Sequence, residues 1–143
     1  LRLAVGRRMI FVDASALTAV MAGEPAADRV LDCLESDATF FTSPVAIYET
    51  ALAVARLANY TVAEALGEVR DLVGRARIAI EDIGDAHADA ALAAFARFGK
   101  GRHPAALNMG DCFAYASTTL RNAAILFVGH DFSRTDLRAA LAE

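Results

Sequence analysis

Four short apolar runs along the chain alternate with longer segments in which apolar residues recur at the spacing of a helix. The runs are rich in β-branched and aromatic residues, and polar residues or glycines stand near their ends, which predicts buried strands. The predicted strands are Met9–Val12, Thr39–Thr42, Ile78–Ile80 and Ala124–Val128. Short strands separated by longer helices predict an α/β fold, with a central parallel sheet covered by helices on both faces.

Helix boundaries are marked in several places by capping residues. Ser43 and Pro44 are typical of an N-cap and a first helical position, and Thr61 with Glu64 has the spacing of a capping box. The predicted helices are Ser15–Gly23, Ala26–Leu34, Val45–Asn59, Thr61–Arg75, Asp85–Phe98 and Gly110–Arg121. A glycine-containing basic segment, residues 99–104, predicts a flexible loop.

The first eight residues carry three arginines and a short apolar stretch, and they precede the first predicted strand. We interpret residues 1–8 as a flexible N-terminal extension and residues 9–143 as one domain, a length that suffices to bury a core. No run of about 18 uncharged apolar residues occurs, so no membrane span is expected. Cys33 and Cys112 are expected to be reduced thiols packed in helices, as in a cytoplasmic protein.

The formal net charge is −4 and the isoelectric point is about 5.3. A protein that binds nucleic acid through its overall charge would be basic, so the charge counts against that class. It does not count against a metal-dependent nuclease, because metal ions or a local basic patch can attract the phosphates instead.

Four acids stand where helices and strands meet the predicted carboxyl edge of the sheet. Asp13 directly follows the first strand and Asp131 follows the last, while Glu49 and Asp111 lie in the first turns of helices with mainly apolar neighbours. Ligands bind at this edge in open parallel sheets. Each acid could instead be an ordinary turn, cap or core-edge carboxylate, and the spacing leaves both interpretations open.

Convergence of these acids would have a chemical consequence. Several carboxylates in one cleft cannot all stay ionised without a cation, because like charges raise one another's pKa. Oxygen ligands without cysteine or histidine at zinc spacing select a hard ion, Mg²⁺ or Mn²⁺. Such an ion suits phosphodiester cleavage, since it polarises a phosphoryl oxygen and acidifies a bound water.

Four segments of the chain together resemble the motifs of PIN domains, and of VapC toxins in particular. They are Met9–Leu17 (MIFVDASAL), Ser43-Pro44 followed by Glu49 and Ala53, Phe98–Gly101 (FGKG) with Leu107–Ala116 (LNMGDCFAYA), and Leu126–Leu137 (LFVGHDFSRTDL). The resemblance runs from Met9 to about Leu137, and its weight comes from the four motifs occurring in order.

The resemblance implies a PIN fold with a central twisted parallel sheet flanked by helices, and metal-dependent endoribonuclease activity. It implies that Asp13, Glu49, Asp111 and Asp131 bind Mg²⁺ or Mn²⁺, directly or through water, with one of them positioning the attacking water. Ser15 is expected to support the site by hydrogen bonding. Asp136 is expected either to join the metal shell or to cap a new helical turn. The implied partners are a VapB-like antitoxin, an RNA substrate such as tRNA or rRNA, and a second copy of the chain.

Three basic residues near the motifs are candidates for RNA contact. Lys100 and Arg102 lie in the loop before Asp111, and Arg134 follows Asp131. Arginine and lysine position nucleic-acid backbones, although a solvated loop would have the same composition. Tyr48 and Tyr115 are expected in the core and not as stacking platforms for bases.

Two other classes remain as alternatives. A receiver-like magnesium-binding signalling domain also places acids at strand ends, but Asp13 is followed by Ala14 and Ser15 where that class needs a second acid. That class also needs a lysine after the last strand, where this chain has Gly129-His130-Asp131. A catalytically silent PIN module would act only as a binding scaffold, and the intact acids argue against it.

Overall fold

A computed structural model describes residues 7–141 of the chain. Its strands are β1 (Met9–Val12), β2 (Thr39–Thr42), β3 (Ala79–Ile80) and β4 (Ala124–Leu126). They form one sheet in the order β3-β2-β1-β4, and every pair of neighbours is parallel. The predicted last strand was two residues too long, because the chain leaves the sheet after Leu126.

Six helices connect and cover these strands. They are α1 (Ala14–Ala22), α2 (Ala27–Leu34), α3 (Pro44–Ala58), α4 (Val62–Arg75), α5 (Asp85–Phe98) and α6 (Met109–Leu120). The predicted caps are confirmed: Ser43 Oγ accepts a hydrogen bond from the Ala46 N–H at 3.2 Å, and Thr61 and Glu64 form the capping box. These boundaries agree with the predicted ones to within one residue, which is inside the range over which helix ends fray.

The sheet is buried on both faces, and its side chains divide between two cores. Ile10 and Val12 of β1 point into a core shared with α1 to α4, whereas Phe11 between them points into a core shared with α5 and α6. The rings of Phe11 and Phe41 meet edge to face at 5.4 Å in the second core. This alternation explains why β1 is apolar throughout, and it confirms the predicted three-layer α/β fold.

The outer edge of β4 is covered by the end of the described chain. The N–H of Ile125 donates to the carbonyl of Arg138 at 2.9 Å, and the N–H of Ala140 donates to the carbonyl of Ile125 at 2.8 Å. Residues 138–140 therefore lie parallel to β4 as a short extended segment. The sequence pattern gave no sign of it, because the segment is too short to show an apolar alternation.

The predicted N-terminal extension falls mostly on residues 1–6, which lie outside the described residues. Of the remainder, Arg8 already continues the pairing of β1 with β2, since its carbonyl accepts a hydrogen bond from the Thr39 N–H at 2.7 Å. Within residues 7–141, no helix combines the length and the apolar character needed to span a membrane. Cys33 and Cys112 are free thiols.

Candidate active site

The four acids predicted from the sequence lie around the carboxyl edge of the sheet. Asp13 follows β1 directly, and Asp131 lies in the loop after β4. Glu49 is in α3, which begins where β2 ends, and Asp111 is in the first turn of α6. The chain moves from β1 to β2 on one side and reaches β4 on the other, so this edge is the switch point at which open α/β sheets bind ligands.

Asp13 is held in place by Ser15. The Asp13 Oδ2 atom accepts hydrogen bonds from the Ser15 hydroxyl at 2.5 Å and from the Ser15 N–H at 3.0 Å, so Asp13 caps α1. The Ser15 Oγ atom in turn accepts a hydrogen bond from the Val128 N–H at 3.0 Å. Ser15 thus links the end of β1 to the loop that carries Asp131, and the 6% exposed Asp13 keeps one orientation.

Asp111 is oriented by the N-cap of its own helix. The Asn108 side chain accepts a hydrogen bond from the Asp111 N–H at 2.9 Å, and Asp111 Oδ2 accepts one from the Asn108 N–H at 3.1 Å. This capping box satisfies two backbone donors that the helix would otherwise leave open. Asp111 is therefore both a helix-cap residue and a half-buried acid of the site. The sequence left these two roles as alternatives, and the structure combines them.

Glu49 reaches the start of α6 through a gap at Gly110. A Cβ atom built on Gly110 would lie 2.6 Å from Glu49 Cδ and 2.9 Å from Glu49 Oε1, inside van der Waals contact. Any side chain larger than hydrogen at position 110 would displace the Glu49 carboxylate. Gly110 was not predicted as a site residue, because its role depends on a side chain that arrives from another helix.

The acids perturb one another electrostatically. Burial, together with smaller effects of the charges of Asp13 and Asp111, raises the pKa of Glu49 to about 7. Burial also raises the pKa of Asp111 to about 6, with Asp131 and Asp13 adding to the shift against the Asn108 hydrogen bond. The pKa of Asp13 is raised by burial and by Asp131, although the Ser15 hydrogen bonds oppose this. Such mutual repulsion shows that the carboxylates share one environment.

Comparison with known proteins agrees with this geometry. The PIN domain family matches residues 10–137. Ribonuclease VapC30 of Mycobacterium tuberculosis is 39% identical over 127 residues, which cover 88% of this chain and 94% of that protein. A VapC ribonuclease of Rhizobium meliloti is 38% identical, covering 90% of this chain and 99% of its own length. The chain belongs to the VapC ribonucleases of the PIN-domain family.

A solved structure shares the fold of this PIN domain. The crystal structure of Mycobacterium tuberculosis VapC20, described as a sarcin-ricin loop cleaving toxin, superposes with a TM-score of 0.72. The alignment covers 90% of this chain and 95% of that one. Because the sequence identity is only 18%, the similarity supports the fold alone. Membership of the family removes the receiver-like alternative.

The PIN domain does not bring Asp136 to the other acids. The Tyr115 hydroxyl donates a hydrogen bond to Asp136 Oδ1 at 2.5 Å, and Arg97 forms an ion pair with Oδ2 at 3.4 Å. No helix begins at Asp136 within the described residues, so it does not cap a helical turn there. The Tyr115 bond lowers the pKa of Asp136 and ties the end of the loop to α6.

The predicted RNA-contact residues are exposed. Lys100 and Arg102 lie in the loop that leads to α6, with the Arg102 guanidinium 5.4 Å from the centre of the Phe95 ring, and Arg134 lies in the loop of Asp131. Tyr115 is buried as predicted. The prediction for Tyr48 was wrong, since its side chain is 65% exposed on α3 beside Glu49.

Across residues 7–141, no three carboxylate, histidine or cysteine side chains are already gathered around one metal position. The site acids are close enough to shift one another's pKa, yet they do not form a closed ligand cage. Repulsion between carboxylates opposes a tighter arrangement when no cation neutralises them.

Proposed function

We propose that this PIN domain is a Mg²⁺- or Mn²⁺-dependent endoribonuclease and the toxin of a VapBC-type toxin–antitoxin pair. The observation that carries the proposal is the gathering of half-buried acids at the carboxyl edge of the sheet, where burial first and neighbouring carboxylates second raise the pKa of Glu49 and of Asp111. A site that brings carboxylates together at an electrostatic cost is explained if a divalent cation offsets that cost.

The donor set fits a hard divalent ion. Asp13, Glu49, Asp111 and Asp131 offer only carboxylate oxygens, which Mg²⁺ and Mn²⁺ prefer. When bound, the ion would polarise a phosphoryl oxygen and acidify a water. Asp13 and Asp111 are fixed by Ser15 and Asn108 and would provide the rigid ligands. Glu49, with its pKa raised to about 7, suits the acceptance of a proton from an attacking water near neutral pH.

The proposed substrate is a structured RNA such as tRNA or rRNA. The chain carries a net charge of −4, so the phosphate contacts must be local. Lys100 and Arg102 are exposed in the loop that leads to α6 and its Asp111, and Arg134 is exposed three residues after Asp131. These positions suit side chains that hold the RNA backbone around the cleaved bond.

The proposed partners are a VapB-like antitoxin and a second copy of the chain, in the cytoplasm. An acidic site favours a basic antitoxin side chain, and Tyr48 and Leu52 beside Glu49 are 65% and 42% exposed, which suits an apolar contact next to it. A second exposed apolar surface, between α5 and α6, includes Leu92 and Met109 at 69% and 73% exposure and is the candidate dimer surface. The free thiols fit a reducing compartment.

The function is tested by cleavage of a purified tRNA and rRNA mixture. We expect cleavage with Mn²⁺ or Mg²⁺, none with EDTA, and a loss of at least about 100-fold in rate for Asp13→Asn, since removal of a metal ligand disables the site. The products are measured on denaturing gels.

A matched variant controls for contaminating nucleases and for charge. Asp32→Asn removes one exposed carboxylate from α2, at a position outside all four motifs, and should cleave like the wild type. Equal traces of cleavage in all lanes, with or without EDTA, would contradict the proposal and favour the silent binding module.

A further inference from the structure

Two clefts meet along the segment that covers the outer edge of β4. The first, of about 610 Å³, is lined by Gly129 and Ser133, which flank Asp131, and by Arg29 of α2. The second, of about 520 Å³, is lined by Arg7, Arg8 and Arg138 at the opposite end of the sheet. Ala139 lines both clefts, so they adjoin along one side of the molecule, and we call the pair the β4 groove.

The β4 groove is basic at the end away from the acids. Arg7, Arg8 and Arg138 are exposed and form no ion pair with any carboxylate of the described residues. Arg138 donates only to the carbonyl of Asn122, at 2.8 Å, and so keeps its charge uncompensated. Three arginines along one cleft are notable in a chain whose net charge is −4, and they favour an anionic ligand.

The other end of the groove combines the Arg29 side chain with apolar surface that suits a base. The partly buried Phe127 and Leu137 contribute apolar surface there, and the Phe127 ring packs edge to face at 5.5 Å against the buried Phe132. A strand that left the acids would therefore meet first an apolar cleft and then cations. Single-stranded nucleic acids are bound by this combination of apolar or stacking surface and a cationic track.

The groove also has a suitable length and origin. It starts beside the loop of Asp131 and follows a parallel segment of a few residues at about 3.3 Å each, which corresponds to roughly two nucleotides. We propose that the β4 groove holds the single-stranded RNA that flanks the cleaved bond, with Arg7, Arg8 and Arg138 binding its phosphates. The inference rests on the proposed ribonuclease function and adds the path of the substrate.

The test compares RNA binding over a range of salt concentrations in an Asp13→Asn background, which prevents cleavage. Arg7→Gln/Arg8→Gln removes two groove charges. The matched control, Arg56→Gln/Arg70→Gln, removes two exposed charges from α3 and α4 and changes the net charge equally. For a single-stranded oligonucleotide, the slope of log K against log salt is negative, and each lost phosphate contact should reduce its magnitude by about 0.7.

We expect the groove variant to reduce the magnitude of this slope by about 0.7 to 1.4, which corresponds to one or two lost phosphate contacts. The control variant should leave the slope unchanged. Equal slopes for the groove variant and the unmodified protein, or equal losses in both variants, would overturn the groove. Active protein with Arg7→Gln/Arg8→Gln should still cleave, with KM raised and kcat retained, because these residues lie away from the acids. If the wild-type protein, with Asp13 intact, cleaves no RNA in the presence of metal, the ribonuclease proposal itself fails, and the inference fails with it.

Discussion

At the scale of single residues, the site is defined by carboxyl groups that are costly to ionise. The Glu49 carboxyl is half-buried and faces the charges of Asp13 and Asp111, which is why its pKa rises to about 7. Such a group holds a proton near neutral pH unless a cation replaces it. Metal ions and protons therefore compete for the same oxygens.

This competition predicts the pH dependence of metal binding. The pKa values of about 7 for Glu49 and about 6 for Asp111 mean that both acids must lose protons before they bind a cation. The Mn²⁺ affinity should rise with pH up to about pH 8, by roughly tenfold per pH unit for each proton displaced, and then level off.

Calorimetric titrations in buffers of different ionisation enthalpy measure both the affinity and the protons released. Glu68→Gln, which alters an exposed acid on α4, should leave the profile unchanged. An affinity that is flat between about pH 5 and pH 8 would mean that these acids are not the ligands.

At the scale of elements, the start of α6 does the most to shape the site. Asn108 orients Asp111 through the capping box, and Gly110 leaves space for the Glu49 carboxylate that arrives from α3. Glycine usually weakens a helix relative to alanine by about 0.5–1 kcal/mol. Gly110 therefore lowers the stability of α6 but leaves space for the Glu49 carboxylate at the site.

Gly110→Ala separates these two effects. The added methyl group should favour α6 but push the Glu49 carboxylate away from Asp111, so that Mn²⁺ affinity falls by roughly tenfold or more while the fold is kept. Calorimetry and circular dichroism measure the two effects.

Gly67→Ala is the matched control, because a Cβ atom at Gly67 in α4 meets no atom within 4 Å. That variant should gain helix stability and keep its metal affinity. A Gly110→Ala protein that binds Mn²⁺ as the wild type does would show that Glu49 does not need this gap.

The elements themselves could be predicted from the sequence, and the contacts between them could not. Apolar runs and caps placed β1, α3 and α4 closely because those signals are local. The role of Gly110, the Tyr115–Asp136 bond and the pairing of residues 138–140 with β4 depend on partners far along the chain. The error at Tyr48 had a local signal: Ile47, Ala51 and Val54 form the buried stripe of α3, and Tyr48 lies off it.

At the scale of the whole molecule, two cores on opposite faces of one sheet stabilise the fold, whereas the ionised acids at the carboxyl edge of that sheet destabilise it. An acid whose pKa is raised in the folded state binds protons more tightly there than in the unfolded chain. The stabilisation that comes from this tighter proton binding is complete below the ordinary pKa of the acid and is lost as the pH rises through the raised pKa. For Glu49 the raised pKa is about 7. The metal-free protein should therefore be less stable at pH 8 than at pH 5 as far as this group is concerned.

Glu49→Gln should reveal the conflict between stability and function. Without metal at about pH 8, we expect a higher Tm than the wild type, because a repelled, half-buried charge is removed. With Mn²⁺ at about 100 times Kd, the wild type should gain about 2.7 kcal/mol of stability, and the variant much less.

Thermal melts with and without Mn²⁺ measure both effects, with Glu68→Gln again as the variant of equal charge. A lower Tm for metal-free Glu49→Gln would indicate that the carboxylate is stabilised by its surroundings, against the repulsion described above.

The pairing of residues 138–140 with β4 leaves the sheet with unequal sides. At one border the chain's own backbone occupies the outward hydrogen-bonding groups of Ile125, the middle residue of β4, so a foreign strand cannot pair with that residue. The opposite border is β3, whose two residues are both exposed but too few to act as a template for edge-to-edge aggregation. Both borders of the sheet therefore disfavour association of two molecules through extended strand pairing.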